Sequence, residues 1–265
     1  VFPILGITIL ASGSSGNATL VSTSRARVLF DAGISRRELY RRLADCSIDP
    51  QEISAVVISH EHSDHVCGLV SFLKHQQSQR GRALPVYLNP RTHAALDWKE
   101  FLPAAELVEV GQRFSIADLE INSFTIPHDA IDPMGFLVQA EGQRLGLLTD
   151  LGYVPDSVRF HLAGVNFLLL ESNHDLEMLK VGPYPWSVKQ RVMGRHGHLS
   201  NDLAAAFAAE SLSAELHTLV LGHLSDNNNH PAIARLTMEN ALAQTSLRPR
   251  LEVAEQGGQV LQFTW

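Results

Sequence analysis

The 265-residue chain has only two cysteines, Cys46 and Cys67. That is too few for a disulfide framework and points to a reducing compartment, with the cytoplasm as the expected location. Charged residues make up 18% and hydrophobic residues 45%, a balance that excludes a disordered or coiled-coil chain. No apolar run reaches the roughly 18–20 residues that span a bilayer, so no membrane segment is expected. The opening stretch, residues 1–10, is apolar but lacks a basic leader and a small-residue cleavage site, and is read as a first strand. Positive charge is not in excess: 21 Lys and Arg face 28 Asp and Glu, so no global basic field exists for nucleic acid. Internal repeats, low-complexity tracts and long linkers are missing too, and residues 1–265 are expected to form one domain. What the chain does have is histidine, 13 in all. With so little cysteine, a transition-metal site here must be built from His with Asp or Glu.

Strands are expected at Ile4–Leu10, Ala18–Ser22, Arg27–Phe30, Ala55–Ile58, Pro85–Leu88, Ile121–Ile126, Met134–Ala140, Leu145–Leu148, Val165–Leu170 and Leu216–Leu221. Leu251–Val253 and Gln259–Phe263, joined by Gln256-Gly257-Gly258, suggest a closing hairpin. Ser35 suits the cap of a helix through Ala44, with Glu38 at the capping-box position. Further helices are expected at Val66–Gln77, Pro155–Leu162, Asn201–Leu212 and Pro231–Ala243. Strands and helices mix without strict alternation, and polar clusters sit at the carboxyl ends of apolar strands.

The strongest of these clusters is Ser59-His60-Glu61-His62-Ser63-Asp64-His65. In extended backbone, residues two apart face the same side, so His60 and His62 can reach one ion. Asp64 and His65 follow where the chain turns into a helix, which suits a second ion beside the first. His128, Asp150 and His223 each come after an apolar strand, as a site at one edge of layered sheets requires. His174 also follows such a strand and rivals His223 as the last ligand.

The succession Asp31, His60–His65, His128, Asp150 and His223 resembles the metallo-β-lactamase-fold hydrolases. More narrowly, the chain is similar to their YycJ (WalJ) branch. The segments that carry this are Leu10–Asn17, Ser59–Gly68, Thr149–Val154, Glu171–Asp175, Tyr184–Trp186, Gly197–Asn201 and Leu224–Asn228. The resemblance implies a mixed α/β (α+β) fold, a four-layer αβ/βα sandwich. It also implies two divalent ions (zinc or manganese, with iron as a further option) and 5′-to-3′ exonuclease action on DNA. By the same resemblance His60, His62 and His128 hold the first ion, Asp64, His65 and His223 the second, and Asp150 bridges them. Asp31 would hydrogen-bond the motif loop and fix an imidazole.

Two adjacent ions suit phosphodiester hydrolysis, because a bridging water ionises readily and both reacting oxygens are clamped. Asp64 is a candidate acceptor for the water's proton. His198 is the candidate acid for the leaving oxygen, in a segment similar to the one that supplies that acid in tRNase Z. Glu171 is placed to orient His198 and raise its pKa. The loop Ser12–Asn17 offers Ser14, Ser15 and Asn17 as an anion nest, or is a tight turn between strands. Asn227 and Asn228 contact phosphate, or form a turn before Pro231.

Local charge favours a nucleic acid more than the sum does. Arg36, Arg37, Arg41 and Arg42 cluster in one expected helix, and Lys189, Arg191 and Arg195 lie near Tyr184 and Trp186. The alternative is a small-molecule hydrolase acting on a cyclic phosphodiester or thioester. A non-catalytic binding module is a third reading, which the full ligand set disfavours. Length leaves no room for the second domain of RNase J-type relatives, and no long arm of the tRNase Z kind is visible.

Overall fold

The computed structural model describes residues 5–265. The expected first strand is found, and its Ile4 lies outside the described residues. The first half of the chain lays down β1 (Leu5–Ala11), β2 (Ala18–Thr23), β3 (Arg27–Phe30), β4 (Ala55–Val57), β5 (Pro85–Leu88) and β6 (Ala104–Leu107) in one sheet. The second half builds a second sheet from β7 (Arg113–Ile116), β8 (Leu119–Thr125), β9 (Met134–Ala140), β10 (Gln143–Leu148), β11 (Phe167–Glu171), β12 (Thr218–Gly222) and β13 (Arg250–Val253). In each sheet antiparallel strands run into a parallel set: β3 to β6 in the first, β10 to β13 in the second. Parallel strands buried on both faces read as continuous apolar runs, which is why Ala55–Val57 and Phe167–Leu170 were legible.

One expectation is overturned. The last two strands do not form a hairpin. β13 pairs in parallel with β12, while the final strand, β14 (Leu261–Thr264), crosses to the first sheet and pairs antiparallel with β1. Gln256-Gly257-Gly258 is a turn within that crossing.

The two sheets face each other over a core that includes Ile7, Val28, Val57, Phe136, Phe167 and Val220. The first sheet's outer face packs on α1 (Arg36–Asp45) and α3 (Leu69–Arg80), through Leu39, Leu43, Phe72 and Leu73. The second sheet's outer face packs on α4 (Asp156–His161), α5 (Asn201–Ser211) and α6 (Pro231–Ala243), through Val158, Phe207, Ala208 and Met238. The layers are helix, sheet, sheet, helix: the αβ/βα sandwich of the metallo-β-lactamase fold. Among the described residues no helix is long and apolar enough to cross a membrane.

Ser35 caps α1 by accepting from the Glu38 backbone N–H at 3.3 Å. Glu38 does not complete the capping box; its carboxylate binds Arg41 and Arg42 instead. The helix expected at Val66–Gln77 is two helices, α2 (Ser63–Val66) and α3, broken at Cys67-Gly68. The break follows from close packing. Gly68 N–H donates to the Ala32 carbonyl, and a Cβ at Gly68 would overlap the Ile34 carbonyl oxygen. The loop after β3 therefore presses directly on the start of α3.

Candidate metal centre

The site lies where strands of both sheets end. Parallel pairing of β10, β11 and β12 sets Leu148 beside Leu170 and Glu171 beside Gly222. This aligns Asp150, Glu171 and His223 along one sheet edge. β4 feeds the His60–His65 loop toward them from the other sheet. Asp31, Asp150 and His223 each adopt a left-handed backbone, with φ of 60°, 61° and 53°. Such backbone is uncommon for non-glycine residues and costs energy. Here it turns three strand ends so that each side chain enters the cluster.

Three donor sets result among the described residues. Nitrogen atoms of His60, His62 and His128 lie within 4.8 Å of one another, as do donor atoms of Asp64, His65, Asp150 and His223, and those of Asp150, Glu171, His198 and His223. In the third set Nδ1 of both histidines is taken up by Glu171 Oε1, which leaves the first two as the candidate ion sites. Asp150 reaches toward both: its Oδ1 is 3.8 Å from His128 Nε2, and its Oδ2 is 3.0 Å from His65 Nε2. His174, the rival ligand, joins neither set. It is buried with an unpartnered Nδ1, and burial pushes it down to about 4.

The donor atoms fit divalent ions. His60 is fully buried, yet its Nε2 has no hydrogen-bond partner; Asp150 Oδ2 is buried too, makes no well-aligned hydrogen bond and lies against His65 Nε2 at 3.0 Å. Buried polar atoms are normally paired, so the orphaned nitrogen facing this cluster calls for a ligand. Burial, with the charge of His65 beside it, pushes His60 well below the ordinary imidazole value and keeps it neutral, as coordination requires. Burial also lowers His128. Imidazole and carboxylate without thiolate suit zinc, manganese or iron.

A shell of hydrogen bonds fixes the candidate ligands. Asp31 Oδ2 lies 2.7 Å from His65 Nδ1, while its Oδ1 accepts the Ser59 backbone N–H at 2.9 Å. Ser59 Oγ also bonds Asp31 and contacts His60 Nδ1 at 3.0 Å. Asn17 Nδ2 sits 3.1 Å from His65 Nε2 and 3.4 Å from Asp64 Oδ2, so Asn17 touches two of the candidate ligands. His128 Nδ1 is 3.2 Å from the Gly197 carbonyl.

Glu171 is fully buried and holds two histidines at once. Its Oε1 lies 2.8 Å from His198 Nδ1 and 2.7 Å from His223 Nδ1. Its Oε2 accepts the backbone N–H groups of Leu151 and Leu199. Burial alone would raise Glu171, but His198 and His223 outweigh it and hold the carboxyl at about 2. Burial lowers His198 and the Glu171 carboxylate raises it more, so the net shift is upward.

Several contributors were not read from the sequence. Ser12 Oγ accepts the His223 backbone N–H, and Asn173 Nδ2 donates to the His223 carbonyl. Buried Ser172, Asn201 and Asn229 form a closed polar network that ties the loops around His198 and His223. Ser172 and Asn173 lie in Glu171–Asp175, and Asn201 in Gly197–Asn201, segments the sequence singled out without a role for these residues.

A cleft of about 300 Å³ opens over the cluster, lined by Ser14, Ser63, Arg191 and His198 besides the ligands. Ser14 thus faces the cleft, while the Ser15 backbone N–H is taken by Gln256. Asn227 is exposed and bonds the Tyr184 hydroxyl; Asn228 is buried in a turn and bonds Ser225. Neither lines this cleft.

Comparison with known proteins agrees with this architecture. The Beta-lactamase superfamily domain matches residues 26–223. The chain is 36% identical over 244 residues to exodeoxyribonuclease WalJ of Streptococcus pneumoniae serotype 2 (strain D39), covering 90% of this chain and 88% of that protein. It is 35% identical over 243 residues to exodeoxyribonuclease YycJ of Bacillus anthracis, covering 91% and 90%. Among solved structures, the metallo-β-lactamase fold protein YhfI from Bacillus subtilis aligns with a TM-score of 0.73 at 16% identity, covering 99% of this chain and all of that one. The chain belongs to the β-lactamase superfamily, and within it to the WalJ/YycJ family of metallo-β-lactamase-fold hydrolases.

Proposed function

We propose that this protein is a dinuclear-metal phosphodiesterase that degrades nucleic acid as a 5′-to-3′ exonuclease, with DNA as its substrate. The relatives of matching length are exodeoxyribonucleases, which supports the reading. The single observation that carries it is the placement of His198. It lies outside the two candidate ion sets, it lines the cleft, and a buried carboxylate holds its Nδ1. A thioesterase has no use for such a group, whereas a phosphodiesterase with a poor leaving group needs it.

His60, His62 and His128 would hold one ion, and Asp64, His65 and His223 the other, with Asp150 between them. The ions, when bound, supply Lewis acidity toward water and the phosphate oxygens. Asp31 and Ser59 fix the imidazoles of His65 and His60. Asp64 Oδ2 is engaged by His223 and Asn17, which leaves Oδ1 to take a proton from the attacking water. His198, with Nδ1 committed to Glu171, gives the proton on Nε2 to the departing oxygen. Ser14 takes the phosphate at the cleft wall, and Arg191, bonded to Asp129 at 2.6 Å, adds charge there. Each ligand set draws on both sheets, so the chain acts as one domain. A cytoplasmic location belongs to the same reading, with Cys46 and Cys67 free.

The test is metal analysis by mass spectrometry, followed by degradation of DNA and RNA labelled at the 5′ or 3′ end. A chromogenic diester and a thioester are assayed in parallel. Two zinc, manganese or iron ions per chain and stepwise release from the 5′ end of DNA are expected. Cleavage of the thioester alone would overturn the reading.

A further inference from the structure

We infer that a second cleft, on the other side of the motif loop, carries the polynucleotide strand as it leaves the metal centre. The inference rests on the nuclease reading above and deepens it by assigning a strand-binding surface. The cleft has a volume of about 560 Å³, within the range of about 300–1,000 Å³ seen for ligand clefts. It runs between the start of α3 and the segment 95–99. Ser63 lines both this cleft and the one over the cluster, so one wall serves both.

Its charge is what a phosphate backbone requires. Arg36, Lys74 and Lys99 line it. Within the arginine-rich helix, Arg41 and Arg42 are consumed by Glu38, and Arg41 also by Asp45. The Arg36 side chain makes no ion pair among the described residues, and neither does that of Lys99. Lys74 Nζ donates to the Lys99 carbonyl at 3.2 Å, which brings the two lysines to one lip. Two carboxylates also line the cleft, which leaves three cations against two anions: Glu61 Oε1 accepts the Ile131 N–H and its Oε2 is buried, while the exposed Asp97 Oδ1 accepts the Lys99 N–H. Lys99 and Glu100 both have left-handed backbone, with φ of 49° and 62°. Strain of this kind concentrates where a side chain must be held for a task. Half-buried Val66, Val70 and Leu96 give the cleft an apolar wall against which unstacked bases can lie. Cations over an apolar wall match a single strand, with phosphates on one side and bases on the other.

The test uses the metal-loaded protein and the triple variant Arg36→Ser, Lys74→Ser, Lys99→Ser, all at exposed positions. Binding is measured against a long single strand with cleavage-resistant phosphorothioate linkages, across a salt series. Turnover of a small chromogenic diester is measured beside it. The triple variant should bind the strand about tenfold more weakly at low salt. Its plot of log affinity against log salt should be shallower by about 2, at about 0.7 per lost phosphate contact. Small-diester turnover should not change. Wild-type affinity and slope in the triple variant, with DNA cleavage intact in the wild type, would overturn this inference alone. A wild-type protein that hydrolyses the small diester but neither binds nor cuts polynucleotides would overturn the nuclease reading and this inference with it.

Discussion

The Nδ1 atoms of His198 and His223 share one acceptor, Oε1 of Glu171, at 2.8 and 2.7 Å. His223 belongs to a candidate metal set, and His198 lies outside the two candidate ion sets. A single buried carboxylate therefore fixes the tautomer and orientation of both, leaving Nε2 of each ring as its working atom.

Replacing Glu171 should strike both partners together. Glu171→Gln keeps the shape but loses the charge that orients two imidazoles. Metal affinity should fall by about 10–100-fold, the usual cost of losing such a partner. Diester cleavage should fall by more than metal loss accounts for. Metal titration followed by kinetics at saturating metal separates the two effects, and wild-type values in both would sink the assignment.

His198→Ala should leave metal content at the wild-type level and slow DNA cleavage by about 10²–10⁴-fold. A diester with a good leaving group, which needs no proton, should be cleaved at a rate much nearer the wild type. Equal loss on both substrates would argue that His198 acts in binding rather than proton transfer.

Gly33 lies under the motif loop, where a Cβ would overlap the Asp64 carbonyl oxygen. Backbone cannot yield as a flexible side chain can. Gly33→Ala should therefore lower stability by about 1–3 kcal/mol or more and reduce bound metal. Thermal melting and metal analysis on the purified variant would show it, and an unchanged Tm with full metal content would refute it.

The Glu38 carboxyl, ordinarily near 4.5, is held at about 2 by hydrogen bonds from Arg41 and Arg42. A depressed carboxyl stabilises the fold at higher pH, with the full contribution above about 4.5 and its loss as pH falls through about 2. The group is partly exposed, so solvent screening limits the gain to about 1 kcal/mol. Urea denaturation should show Glu38→Gln less stable than wild type by about that amount near neutral pH. The gap should close in strong acid; a gap that persists there would contradict the assignment.

Much of this architecture was legible because it is local. Strands buried on both faces read as short apolar runs, and the side chain at the end of each stands out against them. His60 to His65, His128, Asp150 and His223 were found that way. What was missed is long-range. Gln256-Gly257-Gly258 makes the same turn whether its flanking strands pair with each other or part to different sheets, so the hairpin expectation had no local check. Cys67-Gly68 breaks a helix because the loop after β3 crosses it, a contact across more than thirty residues. The bond from Glu171 to His223 spans 52 residues, and only the parallel register of β11 and β12 brings it about. Edge strands β6 and β7 were unread because they are too exposed to carry an apolar signature.

Both donor sets take members from each sheet: His60 and His62 with His128, Asp64 and His65 with Asp150 and His223. The ions would then work as rivets across a seam. Prying the halves apart and releasing metal become one event, so chelation should loosen the sandwich and damage between the sheets should register first as lost metal. Bound metal would then gauge the integrity of packing far from any ligand.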